Sequence, residues 1–306
     1  MSGTEAFDTA AGEAVTVGYI GLGNMGAPMA KRLLDWPGGL VVCDARAEAV
    51  EPFTAKGARA ASTPAEVAAA ASVISVTVLD DAQVRAVVAG PDGILSTARP
   101  GTVVAVHSTI SDTTAVELAA TCESVGVHLI DAPISGGAMG AQQGRLAIMV
   151  GGTDEAFAAV REPFARFAEL VVHAGEVGAG TRMKLARNLL HFISFTAATE
   201  AQRLAEAAGI DIRELGKVVR HTDAITGGAG AIMLRETTAQ LAETDPWFPI
   251  LSHARNLGEK DLSLALGLGD RLDVDLPLAV RALAGLGAGL GVGPGDISTA
   301  FQKEHA

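Results

Sequence analysis

The chain has few of the features that mark several large classes of protein. It has two cysteines, Cys43 and Cys122, in 306 residues. That excludes a disulfide framework and a cysteine-based zinc site, and two thiols so far apart read as small buried apolar residues. Positive charge is scarce: 23 Lys and Arg against 35 Asp and Glu leave a formal net charge of −12, with no basic run. Neither a nucleic acid nor a membrane is therefore an expected partner. There is no HExxH-type pairing; His107, His128, His173, His191, His221 and His253 are scattered and read as structural or surface residues, so no metal is expected. No apolar run reaches the length of a membrane span: Leu276–Val292 comes nearest, and Arg281 and several glycines interrupt it. The first residues are small, polar and acidic, without the basic start and apolar stretch of a secretory signal. The expectation is a soluble protein of the cytoplasm.

Apolar residues make up 49% of the chain and charged residues 19%, enough for a real core and incompatible with global disorder. The 36 glycines have no Gly-X-Y period and cluster in short runs, as turns and close backbone approaches require. After a loose tail over residues 1–14, the apolar runs Val15–Ile20, Leu40–Cys43, Val73–Leu79, Thr102–Val106 and His128–Asp131 read as buried strands. Helical stretches alternate with them at Asn24–Leu34, Asp81–Val88 and Ser111–Val125. Thr63-Pro64-Ala65-Glu66 starts another helix, with Thr63 as cap, Pro64 at the first helical position and Glu66 completing a capping box. Leu146–Val150 and Leu170–His173 add strands at the end of the sheet. This alternation predicts an α/β Rossmann-type, doubly wound and mostly parallel sheet. From Thr181 to Ala208 the pattern is one unbroken helix that Gly209 can end, and no convincing strand follows. The chain thus divides into a dinucleotide-binding domain over 15–177 and an all-α domain over 178–306.

Gly21-Leu22-Gly23-Asn24-Met25-Gly26 is the pattern G-x-G-x-x-G. It follows a predicted strand, opens a predicted helix, and precedes a second strand ending in Asp44, the context that makes it a dinucleotide fingerprint. Gly21 allows the tight turn, Gly23 close approach of backbone to a pyrophosphate, and Gly26 close helix–strand packing. A carboxylate at Asp44 accepts from the adenosine ribose hydroxyls and repels a 2′-phosphate, which favours NAD over NADP. Arg46 works the other way, because a guanidinium there can bind that phosphate.

Two further segments stand out. Ser135-Gly136-Gly137 follows a strand, and its backbone N–H groups can cradle a carboxylate; an ordinary glycine turn is the alternative. Lys184 and Asn188 sit at i, i+4 on the long helix, one turn apart on one face. A lysine with its pKa lowered by burial can exchange a proton with the reacting oxygen, and an amide one turn on can hold the groups in line. A solvated Lys and Asn would satisfy the spacing as well.

Taken together, Gly21–Met29, Ser108-Thr109, Asp131–Gly137 with Gly144 and Gly151-Gly152, Gly178-x-Gly180-x-x-x-Lys184-x-x-x-Asn188 and Lys260-Asp261-Leu262 resemble the β-hydroxyacid dehydrogenase family, in family order over nearly the whole chain. The resemblance implies that Ser135, Gly136 and Gly137 bind the substrate carboxylate, that Lys184 is the general acid/base, and that Asn188 orients the reacting groups. It implies cofactor contacts from Leu79 and Thr109, closure by Lys260 supported by Asp261, and a homodimer or homotetramer with the helical domain in its interface. Four positions depart from the family pattern: Asp80 for Pro, His107 for an acidic residue, Arg145 for a small hydroxyl residue and Arg187 for Asn. The activity expected is hydride transfer between NAD and a small 3-hydroxy carboxylate of the 3-hydroxyisobutyrate kind, giving the semialdehyde. Imine reduction on the same scaffold, or dinucleotide binding without catalysis, are the alternatives; retention of Lys184 counts against the first and the whole constellation against the second.

Overall fold

The computed structural model describes residues 14–233 and 235–299; the expected tail lies outside them but for Ala14. The chain forms two compact units that divide between Arg187 and Asn188.

The first unit is built on a nine-stranded sheet: β1 (Val17–Ile20), β2 (Leu40–Cys43), β3 (Arg59–Ala60), β4 (Val73–Val76), β5 (Val103–Val106), β6 (His128–Asp131), β7 (Ile134–Ser135), β8 (Leu146–Gly151) and β9 (Ala168–Gly175). β1, β2, β4 and β5 are buried at every position. That is why they read as unbroken apolar runs: a parallel strand with helices on both faces has no polar side. Successive side chains go to opposite faces. Val103 and Ala105 join one core with Met29, Trp36, Phe164 and Phe167, while Val104 and Val106 join a second with Val67, Val84, Leu118 and Cys122. Each fully buried large apolar side chain contributes about 1.5–3 kcal/mol.

The strand order is β3-β2-β1-β4-β5-β6, all parallel, followed by β8 antiparallel to β6. β1 lies between β2 and β4, so the crossover direction reverses there, and ligands of such sheets bind beyond the carboxyl ends of the strands at that switch point. β6 and β7 face one side of β8 in a single antiparallel register, Asp131↔Gly151, Ile134↔Ile148 and Ser135↔Ala147. Pro133 has no N–H to give, but its carbonyl accepts from Met149 at 3.1 Å, so the ladder continues through the break. β9 pairs in parallel with the other edge of β8.

The helices of this unit are α1 (Gly26–Lys31), α2 (Ala47–Thr54), α3 (Pro64–Ala70), α4 (Asp81–Ala89), α5 (Asp112–Glu123), α6 (Gly137–Gln143) and α7 (Asp154–Phe164). α1 is shorter at both ends than the expected Asn24–Leu34. Residues 24 and 25 are a turn, and after Lys31 the chain tightens to i→i−3 bonds from Arg32 and Leu33. Trp36, tied through its indole N–H to the Val15 carbonyl at 2.8 Å, and Pro37 prevent continuation. Thr63 caps α3 as expected, accepting from Glu66 N; the reciprocal Glu66 carboxylate accepts from Ser62 N rather than from the cap residue itself.

Helix α8 (Ala179–Ala207) starts in the first unit. It ends where Gly209, at φ +75°, turns the chain left-handed and Ile210 N closes on the Ala205 carbonyl, a Schellman ending. The second unit holds the rest of α8 with α9 (Ile212–Thr226), α10 (Trp247–Leu272) and α11 (Pro277–Leu290), and no strand occurs among its described residues. Its small core gathers Leu251, Leu290 and Val292 with Trp247 and Phe248. α11 has no side-chain cap of its own; buried Glu200 of α8 accepts from Leu278 N and Ala279 N instead. No helix among the described residues is long and apolar enough to cross a membrane.

Candidate active site

Five of the segments singled out in the sequence leave the carboxyl ends of neighbouring parallel strands: Gly21–Gly26 after β1, Asp44 after β2, Leu79 after β4, Thr109 after β5 and Ser135–Gly137 after β6. The fold therefore gathers them along one edge of one sheet.

At β1 the chain turns sharply. Gly21 has φ +92°, and a side chain there would strike the Thr77 carbonyl; one at Gly26 would strike the Gly21 carbonyl. Both glycines are required by packing. Gly23 is different: an added Cβ would meet nothing within 4 Å, so the fold does not need a glycine there, while an approaching ligand would. Exposed Gly23 and Asn24 and half-buried Met25 border this open stretch. The turn is held from β2, where Asp44 Oδ2 accepts from Leu22 N at 2.6 Å and Oδ1 from Arg46 N and Nε at 2.9 and 3.1 Å. Partial burial alone would raise the Asp44 pKa, but these donors and the Arg46 charge hold it below the ordinary carboxylate range. The arrangement fits a dinucleotide: an open glycine backbone beside a fixed anionic carboxylate.

Leu79 after β4 and Thr109 after β5 are both exposed. Ser108, buried, ties their strands together by accepting from Val78 N at 3.0 Å and donating to the Val78 carbonyl at 2.7 Å. Past β7, Gly136 and Gly137 have φ of +129° and +65°, a backbone path that disfavours any other residue. α6 begins there without a side-chain cap, which leaves its first N–H groups for an acceptor from outside the helix.

Lys184 is buried in the first turns of α8, and no carboxylate lies within ion-pair reach of it among the described residues. Burial first, and the nearby Arg187 charge second, hold its pKa below the ordinary lysine value. Asn188 follows one turn on, half-buried, at the start of the second unit. Lys260 lies on α10 in that unit, exposed and paired with Asp261 at 3.1 Å.

One residue of this site had no role of its own in the sequence. Asp131 is wholly buried, and its carboxylate accepts from Gly178 N and Thr181 N, both at 2.6 Å, at the start of the lysine's helix. The only sequence signal was its place at the head of Asp131–Gly137, because the amides it serves lie 47 and 50 positions away.

Comparison with known proteins bears on this constellation. Residues 16–175 match the model of the NAD binding domain of 6-phosphogluconate dehydrogenase, and residues 178–293 that of the NAD-binding region of NADP-dependent 3-hydroxyisobutyrate dehydrogenase. An uncharacterized oxidoreductase of Mycobacterium tuberculosis is 62% identical over 86% of this chain and 88% of its own length. The chain belongs to the β-hydroxyacid dehydrogenase family. Among solved structures, an oxidoreductase of Mycobacterium avium is 56% identical with a TM-score of 0.88, covering 92% of this chain and 100% of that one. The 3-hydroxyisobutyrate dehydrogenase of M. tuberculosis, solved with L-serine, is 29% identical with a TM-score of 0.63, covering 95% and 99%. This member is accordingly an NAD(P)-dependent hydroxyacid dehydrogenase, an oxidoreductase acting on CH–OH groups.

The four departures from the family pattern find different accounts. Asp80 caps α4, accepting from Gln83 N at 2.9 Å. Arg145 is drawn to Glu169 of β9 at 2.8 Å in an exposed pair. His107 is a core residue: Nδ1 lies 2.8 Å from the Ala132 carbonyl and Nε2 3.0 Å from Ser75 Oγ, with the ring among Tyr19, Phe164 and Phe167. Its burial pushes its pKa down to about 4, so at neutral pH it is an uncharged imidazole. Arg187 places a positive charge near Lys184 and, after burial, is the second cause that lowers the lysine's pKa.

Proposed function

We propose that this dehydrogenase oxidises a small 3-hydroxy carboxylate of the 3-hydroxyisobutyrate kind to its semialdehyde with NAD, and that Lys184 takes the alcohol proton. The observation that carries the reading is the buried Lys184, whose ammonium is destabilised by burial and by Arg187, so that the neutral base forms more readily than in an ordinary lysine. Ser135, Gly136 and Gly137 hold the substrate carboxylate in the path before α6, and Asn188 keeps the lysine and the reacting oxygen in line. The relative solved with L-serine supports this class, since serine carries a carboxylate and a primary hydroxyl two carbons apart.

Gly21, Leu22, Gly23, Asn24, Met25 and Gly26 would hold the dinucleotide's phosphates, Asp44 its ribose, and Leu79, Thr109 and Lys260 its further reaches. Bound there, the nicotinamide supplies the hydride acceptor. NAD is favoured because Asp44 is anionic and its nearest guanidinium, Arg46, is held on it at 3.1 Å. Residues 15–177 serve as the cofactor domain and 178–306 as the substrate and dimerisation domain. Exposed Leu189 and Phe192 on α8 and Val218 and Ile225 on α9 support a homodimer or homotetramer. Monomer sedimentation at micromolar concentration would end that part of the reading. Two cysteines that both remain thiols, with burial raising their pKa to about 11 and 12, suit the cytoplasm.

The test is NAD and NADP reduction on 3-hydroxyisobutyrate, 3-hydroxypropionate, glycerate, serine and 4-hydroxybutyrate, beside Lys184→Ala. Turnover of one 3-hydroxy acid with NAD, lost by about 100-fold or more in the variant, is expected. A Lys184→Ala enzyme as fast as the parent would remove the lysine from the chemistry.

A further inference from the structure

The long helix that carries Lys184 opens with Ala179 N donating to the Glu176 carbonyl at 2.9 Å. Its orphan N–H groups at Gly178 and Thr181 are taken by the two oxygens of Asp131, at the end of β6, each at 2.6 Å and with no exposed surface on the carboxylate's residue. Two glycines make this joint possible. A Cβ on Gly151 would strike Asp131 Oδ1, and one on Gly180 would strike the carbonyls of Met149 and Asp131. The helix start is therefore pressed directly on the backbone of β6 and β8. Asp131 is also the first residue of the segment that runs, still laddered to β8, into Ser135, Gly136 and Gly137. Lys184 lies three residues beyond Thr181, less than a turn from the capped amide. A short laddered path thus runs from Asp131 to the glycine pair, and a short helical one from its carboxylate to the lysine.

We infer that Asp131 is the positioning residue of this enzyme, fixing the height and rotation of the first turns of α8 and so the place of Lys184 relative to the carboxylate cradle. The inference rests on the reading of Lys184 as the proton acceptor. Its chemistry is specific to a carboxylate, which offers acceptors on both oxygens; an asparagine of the same shape presents an NH2 to one of the two amides and repels it. Burial intensifies that conflict, because the displaced N–H finds no water. Displacing a catalytic group by about 1 Å is enough to lose about 100-fold in rate.

The experiment uses the full chain as wild type, Asp131→Asn, Gly180→Ala and Lys184→Ala. Gly180→Ala changes no charge, so an effect shared with Asp131→Asn reports placement and not electrostatics. Three quantities are read: kcat/KM for the hydroxy acid turned over best, the Kd for NADH, and the pH dependence of acylation at Lys184 by an amine-reactive ester, followed by mass spectrometry. Both variants are expected to keep the NADH Kd within about 2-fold and to lose about 100-fold in kcat/KM. The apparent pKa of Lys184 acylation should rise in both toward the ordinary lysine value as the side chain loses its burial. Variants with wild-type acylation profiles, or with kcat/KM reduced only in proportion to lost NADH binding, overturn the inference. Should both variants fail to fold, hydrogen exchange of the wild-type Thr181 amide decides: strong protection supports the joint and rapid exchange overturns it. Absence of turnover in the wild type on every hydroxy acid sinks the functional reading, while the acylation profiles still decide the placement of Lys184 by Asp131.

Discussion

Acidification should destabilise the first unit through one side chain, His107, well before most of its carboxylates titrate. The native imidazole is buried, with its pKa pushed down to about 4 from an ordinary value of 6.5. Between those two pH values the unfolded chain binds a proton that the native one excludes, so stability falls as pH falls. The contribution is fully present above pH 6.5, declines at up to about 1.4 kcal/mol per pH unit, and is lost near pH 4. The whole loss is about 3 kcal/mol, of which about 2 kcal/mol falls between pH 6.5 and 5, where most carboxylates are still ionised. Urea unfolding at half-unit pH steps measures it, and a Trp247→Phe background makes the fluorescence report on Trp36 of the first unit alone. His107→Gln removes the titration. It costs stability at pH 7, since the Ala132 carbonyl and Ser75 hydroxyl lose well-placed partners, but its stability should be flat from pH 6.5 to 5. Parallel pH profiles for the two proteins over that window would refute the buried, neutral histidine.

Charge removal at Arg187 tests the tuning of Lys184. The guanidinium disfavours the ammonium, so Arg187→Ala should raise the lysine pKa and move the rise of alcohol-oxidation kcat/KM with pH to more alkaline values; an unchanged profile would sink the coupling. The glycine fingerprint can be divided by substitution. Gly23→Ala should leave thermal stability within about 0.5 kcal/mol yet weaken NADH binding by at least about 10-fold, because only a ligand needs that space. Gly26→Ala should instead lower stability by about 1–3 kcal/mol through overpacking against the Gly21 carbonyl. Equal effects of the two on melting temperature would contradict this division.

What could be read in the sequence was what local chemistry decides. β1, β2, β4 and β5 announced themselves because strands covered on both faces are apolar at every position. Thr63-Pro64-Ala65-Glu66 gave the start of α3, and Gly209 the end of α8, because capping is settled within a few residues. The glycine turn and Asp44 were legible for the same reason. Among the elements not named from the sequence, α2 carries Pro52 and has no capping side chain, β3 is two exposed residues, and β7 is cut from β6 by Pro133, whereas α7 was passed over although Thr153 caps it locally.

The burial of Lys184 was unreadable for a deeper reason. Sequence periodicity gave it a face of α8, but an exposed lysine at the same spacing looks identical, and the anchor that sets the helix on the sheet lies 47 and 50 positions away. α11 repeats the case: its first amides are capped by Glu200, 78 and 79 positions earlier, so no local cap marked its start. Both caps are buried acidic side chains accepting from backbone N–H groups. In each case the acidic residue looks unremarkable in its own neighbourhood. At α8 the trace left in the sequence is indirect: a side chain on Gly151 would strike the Asp131 carboxylate, and one on Gly180 the carbonyls of Met149 and Asp131. Glycines that no turn explains are therefore the place to look for a distant buried acid, and here they lead to the residue that sets the lysine.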